Sequence, residues 1–388
     1  MKIGIEAQRI FRDKKHGMDI VTIELIRALQ LLDTENEYFV FSNSKNEDIS
    51  SIFLNAPSNF HLVQKYSSNY AIWEQLYLPM LAKNNEIDLL HCTSNTAPLF
   101  LNIPLILTLH DIIYLEKLQI IQGSLYQRIG NLYRRLIVPR IVHKCAKIGT
   151  VSNYEKKKIS KYFNISEKKL KTYYNACSEY FKVEEDKEKV IKFLKKNDFP
   201  EQYILLFGSR DPRKNTENSI IAYANYVRNT PSKEVVPLVV LDVELKYFQN
   251  ILNRNHLQEV KNYITTKRYV SNHDLVNIYN GAVLFLFLST RESFGIPVLE
   301  AMACGTPVIT SNLSSLPEVG GDAAIYVNPL KTMEIAEKIK LTLSDEAKQV
   351  SMTEKGLKRS NDFSWKLSAE KWLETYKSFS PRKALTEL

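Results

Sequence analysis

Residues 289–307, S-T-R-E-S-F-G-I-P-V-L-E-A-M-A-C-G-T-P, determine how the rest of the chain is interpreted. They follow an apolar run at 282–288, which is too short to span a membrane and is typical of a strand buried on both faces. Gly295 predicts a turn, and Pro297 predicts the start of a helix, because its missing N–H would be unpaired there anyway. The glycine and proline that close the segment predict where this helix ends. The segment therefore predicts a strand, a turn and a helix N-terminus.

The start of the predicted helix is suited to an anion. Helix N-termini present unpaired N–H groups and a partial positive charge, so the backbone of Phe294, Gly295 and Ile296 is a candidate phosphate site. Two carboxylates flank this backbone: Glu292 lies before the helix, and Glu300 is expected in its first turn.

Glu300 lies among apolar residues, so its carboxylate is expected to be buried. A buried carboxylate costs several kcal/mol unless hydrogen-bond donors satisfy it. A capping box, in which Glu300 accepts the N–H three residues back, is disfavoured because that residue is Pro297. An acceptor-only group beside an anion site instead suits neutral hydroxyls, such as those of a ribose.

The two glutamates and the seven residues between them, in R-E-S-F-G-I-P-V-L-E-A-M-A-C-G-T-P-V-I, resemble the signature of family 4 of the retaining glycosyltransferases. The resemblance continues through S-N-L-S-S-L-P-E-V-G-G-D-A-A at 311–324 and extends over nearly the whole chain. It implies an α/β protein of the GT-B fold: two Rossmann-like doubly wound domains face each other across a cleft, and a C-terminal helix crosses back to the first. The chain is also similar to bacterial mannosyltransferases of surface-polysaccharide pathways, which implies GDP-mannose as the donor.

Composition and motifs exclude several other classes of protein. The 388 residues, 44% apolar and 24% charged, suffice for two globular domains. No apolar run reaches the roughly 18 residues of a membrane span, and the first ten residues predict a strand rather than a signal peptide, so we expect a cytoplasmic protein. The four cysteines form no C-x-x-C pair, and neither D-x-D nor H-E-x-x-H occurs, so no metal site and no cofactor are predicted.

Strand-like apolar runs alternate with helical patterns along the chain. This alternation predicts doubly wound parallel sheets, whose ligands lie beyond the carboxyl ends of the strands. The predicted domains are 1–185, 186–363 on the nucleotide-sugar side, and a returning helix at 364–388, since charged, irregular sequence separates two sets of strands. The elements predicted for the first domain are strands at 2–7, 38–42, 89–92, 104–110 and 148–152 and helices at 18–32, 70–82 and 125–143.

Two residues of the first domain are candidates to contact the donor. Gly17 precedes the first helix, which alone is a weak signal, and the absence of G-x-G-x-x-G counts against a nucleotide redox enzyme. His110 follows a strand, where a histidine is as often structural as functional. The resemblance implies a role for both, since the family places a glycine-containing loop against donor and acceptor and a histidine against the donor sugar. His91, on the neighbouring strand, is interpreted as a packing residue.

The segment G-S-R-D-P-R-K-N at 208–215 predicts a second anion site. Its glycine turn brings Arg210, Arg213 and Lys214 to the start of another helix, although a solvated charge cluster is the alternative. In the family the lysine of this motif binds the diphosphate, and Lys214 matches it. Ser209 stands where many members have an arginine, so whether Arg210 or Arg213 takes that place stays open.

Tyr269 is a further candidate for donor binding. It precedes the helix predicted at 274–279, where the family usually has a glycine followed by tyrosine or phenylalanine near the nucleotide base. Arg268 replaces that glycine, and this departure weakens any inference about the base.

Positive charge is concentrated in residues 101–180. They carry 14 basic and 5 acidic side chains, and this excess of 9 equals the net charge of the chain, +9. An anionic membrane surface is one partner that such charge suits, through residues 125–171; a buried apolar stripe with solvated charges is the alternative. Nucleic acid is disfavoured because no nucleic-acid module accompanies the charge. The residues that define the apolar stripe are Leu125, Ile129, Leu132, Leu136 and Ile137.

The sequence therefore predicts a retaining, metal-independent glycosyltransferase that acts on a saccharide or polyprenyl-linked acceptor. The family implies that Lys214 and the helix N-terminus hold the diphosphate, that Glu300 holds the ribose, and that His110 and Glu292 position the sugar. Two alternatives remain, a nucleotide-sugar epimerase of similar fold and a nucleotide-sugar-binding protein without catalysis.

Overall fold

The computed structural model describes residues 1–8, 10–11, 17–44, 53–116, 125–268 and 270–380. The chain forms two compact units. Unit 1 comprises Met1–Asn175 and Trp365–Leu388, and unit 2 comprises Ala176–Ser364. Each unit is built on one parallel sheet, as the alternating pattern predicts.

The sheet of unit 1 has seven strands in the order β3-β2-β1-β4-β5-β6-β7. β1 lies inside the sheet and successive strands are added outward on both sides of it, which is the doubly wound arrangement. The two strands at the edges were not predicted, because polar residues and partial exposure interrupt their apolar pattern. The strands are β1 (Lys2–Glu6), β2 (Glu37–Ser42), β3 (Phe60–Gln64), β4 (Leu89–Cys92), β5 (Leu105–Thr108), β6 (Lys147–Thr150) and β7 (Leu170–Thr172).

The helices of unit 1 include one irregular segment. The helix predicted at 70–82 is present but contains a π-helical turn, Trp73–Tyr77, which turns the side chain of Glu74 into the protein. π-turns of this kind are rare and often accompany a specific side-chain requirement. The regular helices are α1 (Gly17–Leu32), α2 (Tyr70–Ile72), α3 (Leu78–Asn84), α4 (Leu125–Lys144) and α5 (Asn153–Phe163), of which α5 was not predicted.

Unit 2 has a six-stranded sheet in the order β10-β9-β8-β11-β12-β13. Its strands are β8 (Tyr203–Phe207), β9 (Leu238–Leu241), β10 (Ile264–Lys267), β11 (Ala282–Phe287), β12 (Val308–Ser311) and β13 (Ala324–Val327). Its helices are α6 (Lys187–Lys196), α7 (Thr216–Arg228), α8 (Leu245–Arg254), α9 (Asn272–Gly281), α10 (Ile296–Ala303), α11 (Leu316–Gly320), α12 (Thr332–Leu343) and α13 (Glu346–Ser360).

The chain enters unit 2 after Asn175 rather than after residue 185. The intervening residues belong to unit 2 because Phe181 packs edge-on against Tyr279 and the carbonyl of Lys182 accepts a hydrogen bond from Asn280. The charged stretch predicted as a linker contains α6, an amphipathic helix that buries Val190 and Leu194. The helical period of α6 is not evident from the sequence because charged residues dominate its exposed face.

The last helix, α14 (Trp365–Lys377), packs on α1 in unit 1, which confirms the predicted return of the C-terminus. Trp372 stacks on Tyr173 with ring centroids 3.5 Å apart. A Cβ at Gly149 would lie 2.3 Å from the Trp372 ring, so this close packing requires glycine on β6. His91 is wholly buried, with Nδ1 bonded to the Tyr376 hydroxyl at 2.7 Å, and is a packing residue as predicted. None of the described helices has the length and apolar character needed to cross a membrane.

Candidate functional site

The turn between β11 and α10 has the conformation that the sequence predicts. Gly295 precedes the helix with φ of +114°, and a Cβ there would lie 2.7 Å from a Leu316 methyl group, so glycine is required on both counts. Pro297 lies in the first turn of α10, and Gly305 follows the helix with φ of +77°. The buried Phe294 anchors the turn, because its carbonyl accepts a 2.7 Å hydrogen bond from the Ser315 hydroxyl. The helix N-terminus at 294–296 is therefore held rigidly.

Glu300 lies in the second turn of α10 and not in the first, because the helix begins at Ile296, one residue before Pro297. Its side chain is partly buried and not fully buried as the sequence predicted. Its Oε2 atom accepts a 2.9 Å hydrogen bond from the hydroxyl of Tyr279. Burial raises the pKa of Glu300 to about 7, although the Tyr279 hydrogen bond opposes the shift. Within the described part of the chain Tyr279 is the one donor to this carboxylate, so Glu300 retains capacity to accept from a ligand.

Tyr279 is a residue of the candidate site that the sequence did not single out. Its side chain is fully buried among aromatic rings, with the Phe285 ring edge-on at 5.5 Å and the Phe207 ring at 5.9 Å. It lies in α9, and nothing in its local pattern identifies it as the partner of Glu300. A tyrosine on an otherwise apolar helix face is the only available signal, because a buried hydroxyl requires a partner.

Lys214 and Glu292, which the sequence assigned to different parts of the donor, form an ion pair. Lys214 Nζ lies 2.6 Å from Glu292 Oε1 and 5.4 Å from the centre of the Phe287 ring. The two loops are also joined through their backbones, because the Thr290 N–H donates to the Arg213 carbonyl at 2.7 Å. They meet because β8 and β11 are neighbouring parallel strands whose carboxyl ends share one edge of the sheet.

The other polar residues of the 208–215 loop have partners outside this ion pair. Arg210 pairs with Glu244, which precedes α8, and Arg213 Nε lies 3.0 Å from both oxygens of Asp211. Burial alone would raise the pKa of Asp211, but the hydrogen bonds from Arg213 lower it below its usual value. The Ser209 hydroxyl accepts a 3.1 Å hydrogen bond from the Asp211 N–H. Of the three cations, Lys214 is therefore the one that pairs with Glu292.

His110 of unit 1 lies after β5 and is only 4% exposed. Its Nε2 donates to the Thr93 carbonyl at 2.9 Å, and its backbone N–H donates to Asn95 Oδ1 at 2.7 Å. Burial lowers the pKa of His110, although the Thr93 hydrogen bond and nearby carboxylates oppose the shift. Burial therefore favours the neutral imidazole, in which Nε2 carries the proton and Nδ1 is an acceptor. Asn95, with φ of +67°, is a further residue that the sequence did not single out.

The structure gives less information on the two other candidate residues, Gly17 and Tyr269. Gly17 is the exposed first residue of α1, and no described atom outside its own helix lies within 4 Å of where its Cβ would be, so the described packing does not require glycine there. Tyr269 lies outside the described residues. Across the described ranges, no three His, Cys, Asp or Glu side chains cluster as metal ligands would.

Two family models match the chain: Glycosyltransferase Family 4 over residues 16–178 and Glycosyl transferases group 1 over residues 186–359. Among named relatives, O-antigen chain mannosyltransferase B of Escherichia coli is 31% identical over 232 residues, which are 59% of this chain and 59% of that protein. O-antigen chain mannosyltransferase RfbU of Salmonella typhimurium is 29% identical over 67% of this chain and 65% of its own length. Serotype-specific mannosyltransferase WbdA of Escherichia coli is matched over only 28% of its length. The chain thus spans less than two thirds of each of these relatives.

Solved structures share the fold over almost the whole chain. WaaG, a glycosyltransferase involved in lipopolysaccharide biosynthesis, superposes with a TM-score of 0.69 and 17% identity, covering 96% of this chain and 99% of WaaG. Alr3699/HepE of Anabaena, solved in complex with UDP-glucose, gives a TM-score of 0.71 and 17% identity over 97% of this chain and 100% of its own. These similarities show the GT-B fold. With a family model on each unit and the predicted fold present, the chain belongs to glycosyltransferase family 4.

Proposed function

We propose that this protein is a retaining glycosyltransferase that moves a sugar from a nucleoside-diphosphate donor to a saccharide or lipid-linked saccharide of a surface polysaccharide. The observation that supports this best is the ion pair of Lys214 with Glu292 just before the N-terminus of α10, the helix that also carries Glu300. Together they offer a cation and helix N–H groups for a diphosphate and two carboxylates for hydroxyl groups.

In this proposal, charge stabilisation drives departure of the diphosphate. Lys214 and the N–H groups of residues 294–296 hold its oxygens, and their fixed positions favour the negative charge that builds up as the glycosidic bond breaks. Glu300 accepts hydrogen bonds from ribose hydroxyls, and Tyr279 holds its carboxylate in place. Arg210 and Arg213 keep the loop in shape through Glu244 and Asp211.

Glu292 and His110 are proposed to position the donor sugar. No protein nucleophile is assigned, so retention of configuration follows from attack by the acceptor on the face from which the phosphate leaves. Gly17 and Tyr269 remain proposed donor contacts on the strength of the family resemblance. No step is assigned to a metal ion, and we therefore expect transfer to persist in the presence of a chelator.

GDP-mannose is the proposed donor, because the relatives named above are mannosyltransferases. The test is to incubate the protein with GDP-mannose or UDP-glucose, with and without lipid-linked oligosaccharides, and to follow release of the nucleoside diphosphate. We expect release only when an acceptor is present, and a product that keeps the anomeric configuration of the donor by NMR. Conversion of the donor without acceptor would indicate an epimerase, and tight binding without turnover would indicate a non-catalytic binding protein.

We further propose that α4 brings the protein to an anionic membrane surface. Ile129, Leu132 and Leu136 lie on one face of α4 and are 61%, 58% and 50% exposed, so the alternative of a buried stripe holds for Ile137 but not for these three. Lys144 lies 5.0 Å from the ring of Phe100, which is itself 81% exposed. An exposed apolar stripe beside cations suits an anionic interface. The side chain of Leu125 lies outside the described part of the chain.

Vesicle co-sedimentation tests this placement. The wild type is expected to sediment with anionic vesicles and not with neutral ones, and added salt should release it because screening weakens the attraction. Replacing Ile129, Leu132 and Leu136 together by Ser should abolish binding. Leu31→Ser, which removes an apolar side chain that is 87% exposed on α1, is the matched control. Equal sedimentation of both variants would contradict the proposal.

A further inference from the structure

We propose that Glu292 competes with the donor diphosphate for Lys214, so that the site discriminates between the intact sugar donor and the free nucleoside diphosphate left after transfer. This inference rests on the proposed function, because it takes Lys214 as the diphosphate cation and Glu292 as a contact of the donor sugar. The new element is that the diphosphate subsite at Lys214 and the sugar subsite at Glu292 are energetically coupled.

Hydrogen bonds hold the backbones of the two loops that carry Lys214 and Glu292. The backbone N–H of Glu292 donates to the Ser314 hydroxyl at 3.0 Å, and its carbonyl accepts from the Ser315 hydroxyl at 3.1 Å. Thr290 ties this loop to the Arg213 carbonyl through its N–H at 2.7 Å. Both backbones therefore stay in place when the ion pair opens, and only the side chains of Lys214 and Glu292 need to move.

The two other cations of the 208–215 loop do not offer a substitute for Lys214. Arg213 is occupied by Asp211 within its own loop, and Arg210 by Glu244 before α8. A diphosphate at the N-terminus of α10 carries more negative charge than one carboxylate, so it attracts the lysine more strongly than Glu292 does. Binding the diphosphate thus draws Lys214 away from Glu292.

Opening of the ion pair is costly for Glu292 because its side chain is largely buried. Its side chain is 15% exposed, compared with 35% for Lys214, so the carboxylate is only partly stabilised by water once its counter-ion leaves. Hydroxyl groups of a bound sugar can donate to Glu292 and replace the lost contact. A free nucleoside diphosphate has no sugar to do so. Glu292 therefore weakens the binding of the product more than that of the donor.

Isothermal titration of each nucleotide pair tests the inference. GDP and GDP-mannose, and UDP and UDP-glucose, are titrated into the wild type, Glu292→Gln and a control, Glu259→Gln. The control removes the carboxylate of another ion pair in unit 2, Arg228–Glu259, which takes no part in the site. In Glu292→Gln the free diphosphate should bind about three- to tenfold tighter while the sugar nucleotide gains nothing, as expected from removal of one partly buried ion pair. The control should keep the wild-type ratio of the two affinities.

A second variant separates this effect from general loss of charge. In a Lys214→Met background, Glu292→Gln should no longer change diphosphate affinity, because there is no longer a lysine for which Glu292 and the diphosphate compete. An unchanged or weaker affinity of Glu292→Gln for the free diphosphate, with normal binding by the wild type, would overturn the inference and leave the proposed function standing. Failure of the wild type to bind any of the four nucleotides would instead overturn the proposed function.

Discussion

Two carboxylates, the buried Glu74 in unit 1 and the partly buried Glu300 in unit 2, differ in how many donors the protein gives them. Glu74 is 1% exposed and accepts hydrogen bonds from Tyr133 at 2.7 Å, Gln75 at 3.0 Å, Tyr70 and Thr96. Glu300 accepts from Tyr279, its one donor among the described residues. Burial raises the pKa of both, so desolvation alone does not distinguish them.

We infer from this difference in donors that Glu74 has a structural role and that Glu300 binds a ligand. The four donors of Glu74 join the π-helical turn, the loop after β4 and α4, and they leave its oxygens little capacity for a ligand. Glu300 stands beside a rigid helix N-terminus with one oxygen uncommitted. A carboxylate with a complete set of protein donors is thus expected to hold a fold together, and one with an incomplete set is expected to bind a ligand.

Removal of Glu74 should have the largest effect on stability. Glu74→Ala leaves two tyrosine hydroxyls, a threonine hydroxyl and a glutamine amide without their buried acceptor, which should lower the free energy of unfolding by about 3 kcal/mol. Urea denaturation followed by circular dichroism measures this. Glu300→Ala is the matched comparison, and it should cost less than about 1 kcal/mol because it deprives only one donor. An equal loss of unfolding free energy in the two variants would contradict the assignment of a structural role to Glu74 but not to Glu300.

The pH dependence of stability gives a smaller effect with a definite sign. The pKa of Glu300 is about 7 when folded, against a usual value of 4.5, so the folded state binds more protons than the unfolded state in this interval. Its contribution to stability is therefore full below pH 4.5 and is lost as the pH rises through 7. Denaturation midpoints of wild type and Glu300→Gln between these limits should converge towards acidic pH. A constant difference at every pH would show that Glu300 does not titrate there.

Tyr279→Phe should have the smallest effect. It tests whether the hydrogen bond from Tyr279 lowers the pKa of Glu300. The hydrogen bond from Tyr279 lowers the pKa of Glu300, so its loss raises that pKa further and leaves more of the carboxylate protonated at pH 7. Nucleotide affinity at pH 7 should fall by about 1 kcal/mol, roughly fivefold, and recover at higher pH. A loss of affinity that is independent of pH would mean that Tyr279 acts only by packing.

Local steric rules account for what the sequence predicted well. The turn at Gly295, a helix start next to Pro297 and the stop at Gly305 follow from residues adjacent in the chain; the turn and the stop are found there, and the helix begins at Ile296, one residue before Pro297. The placement of Lys214 near Glu292 follows from the topology of neighbouring parallel strands, although the pair is separated by 78 positions. Their direct contact does not follow, because topology specifies an edge of the sheet and not which side chains meet.

Other features depended on tertiary packing. The partner of Glu300 is Tyr279, 21 positions earlier, and no periodicity links the two residues. The spacing of Ile129, Leu132 and Leu136 predicts one helix face, but only the packing of α4 decides that this face is exposed. Sequence reasoning thus identified the chemical groups of the site better than it identified the groups that hold them.

Nucleotide affinity of Glu300→Gln and Glu74→Gln, measured side by side on variants shown by circular dichroism to be folded, tests the account most directly. Loss of a charged acceptor for the ribose should weaken binding of GDP or UDP by about 1.5 to 3 kcal/mol, roughly ten- to a hundredfold, in Glu300→Gln. Glu74→Gln should bind as the wild type does. Wild-type affinity in Glu300→Gln, or an equal loss in both variants, would contradict the assignment of Glu300 to the nucleotide and of Glu74 to the fold.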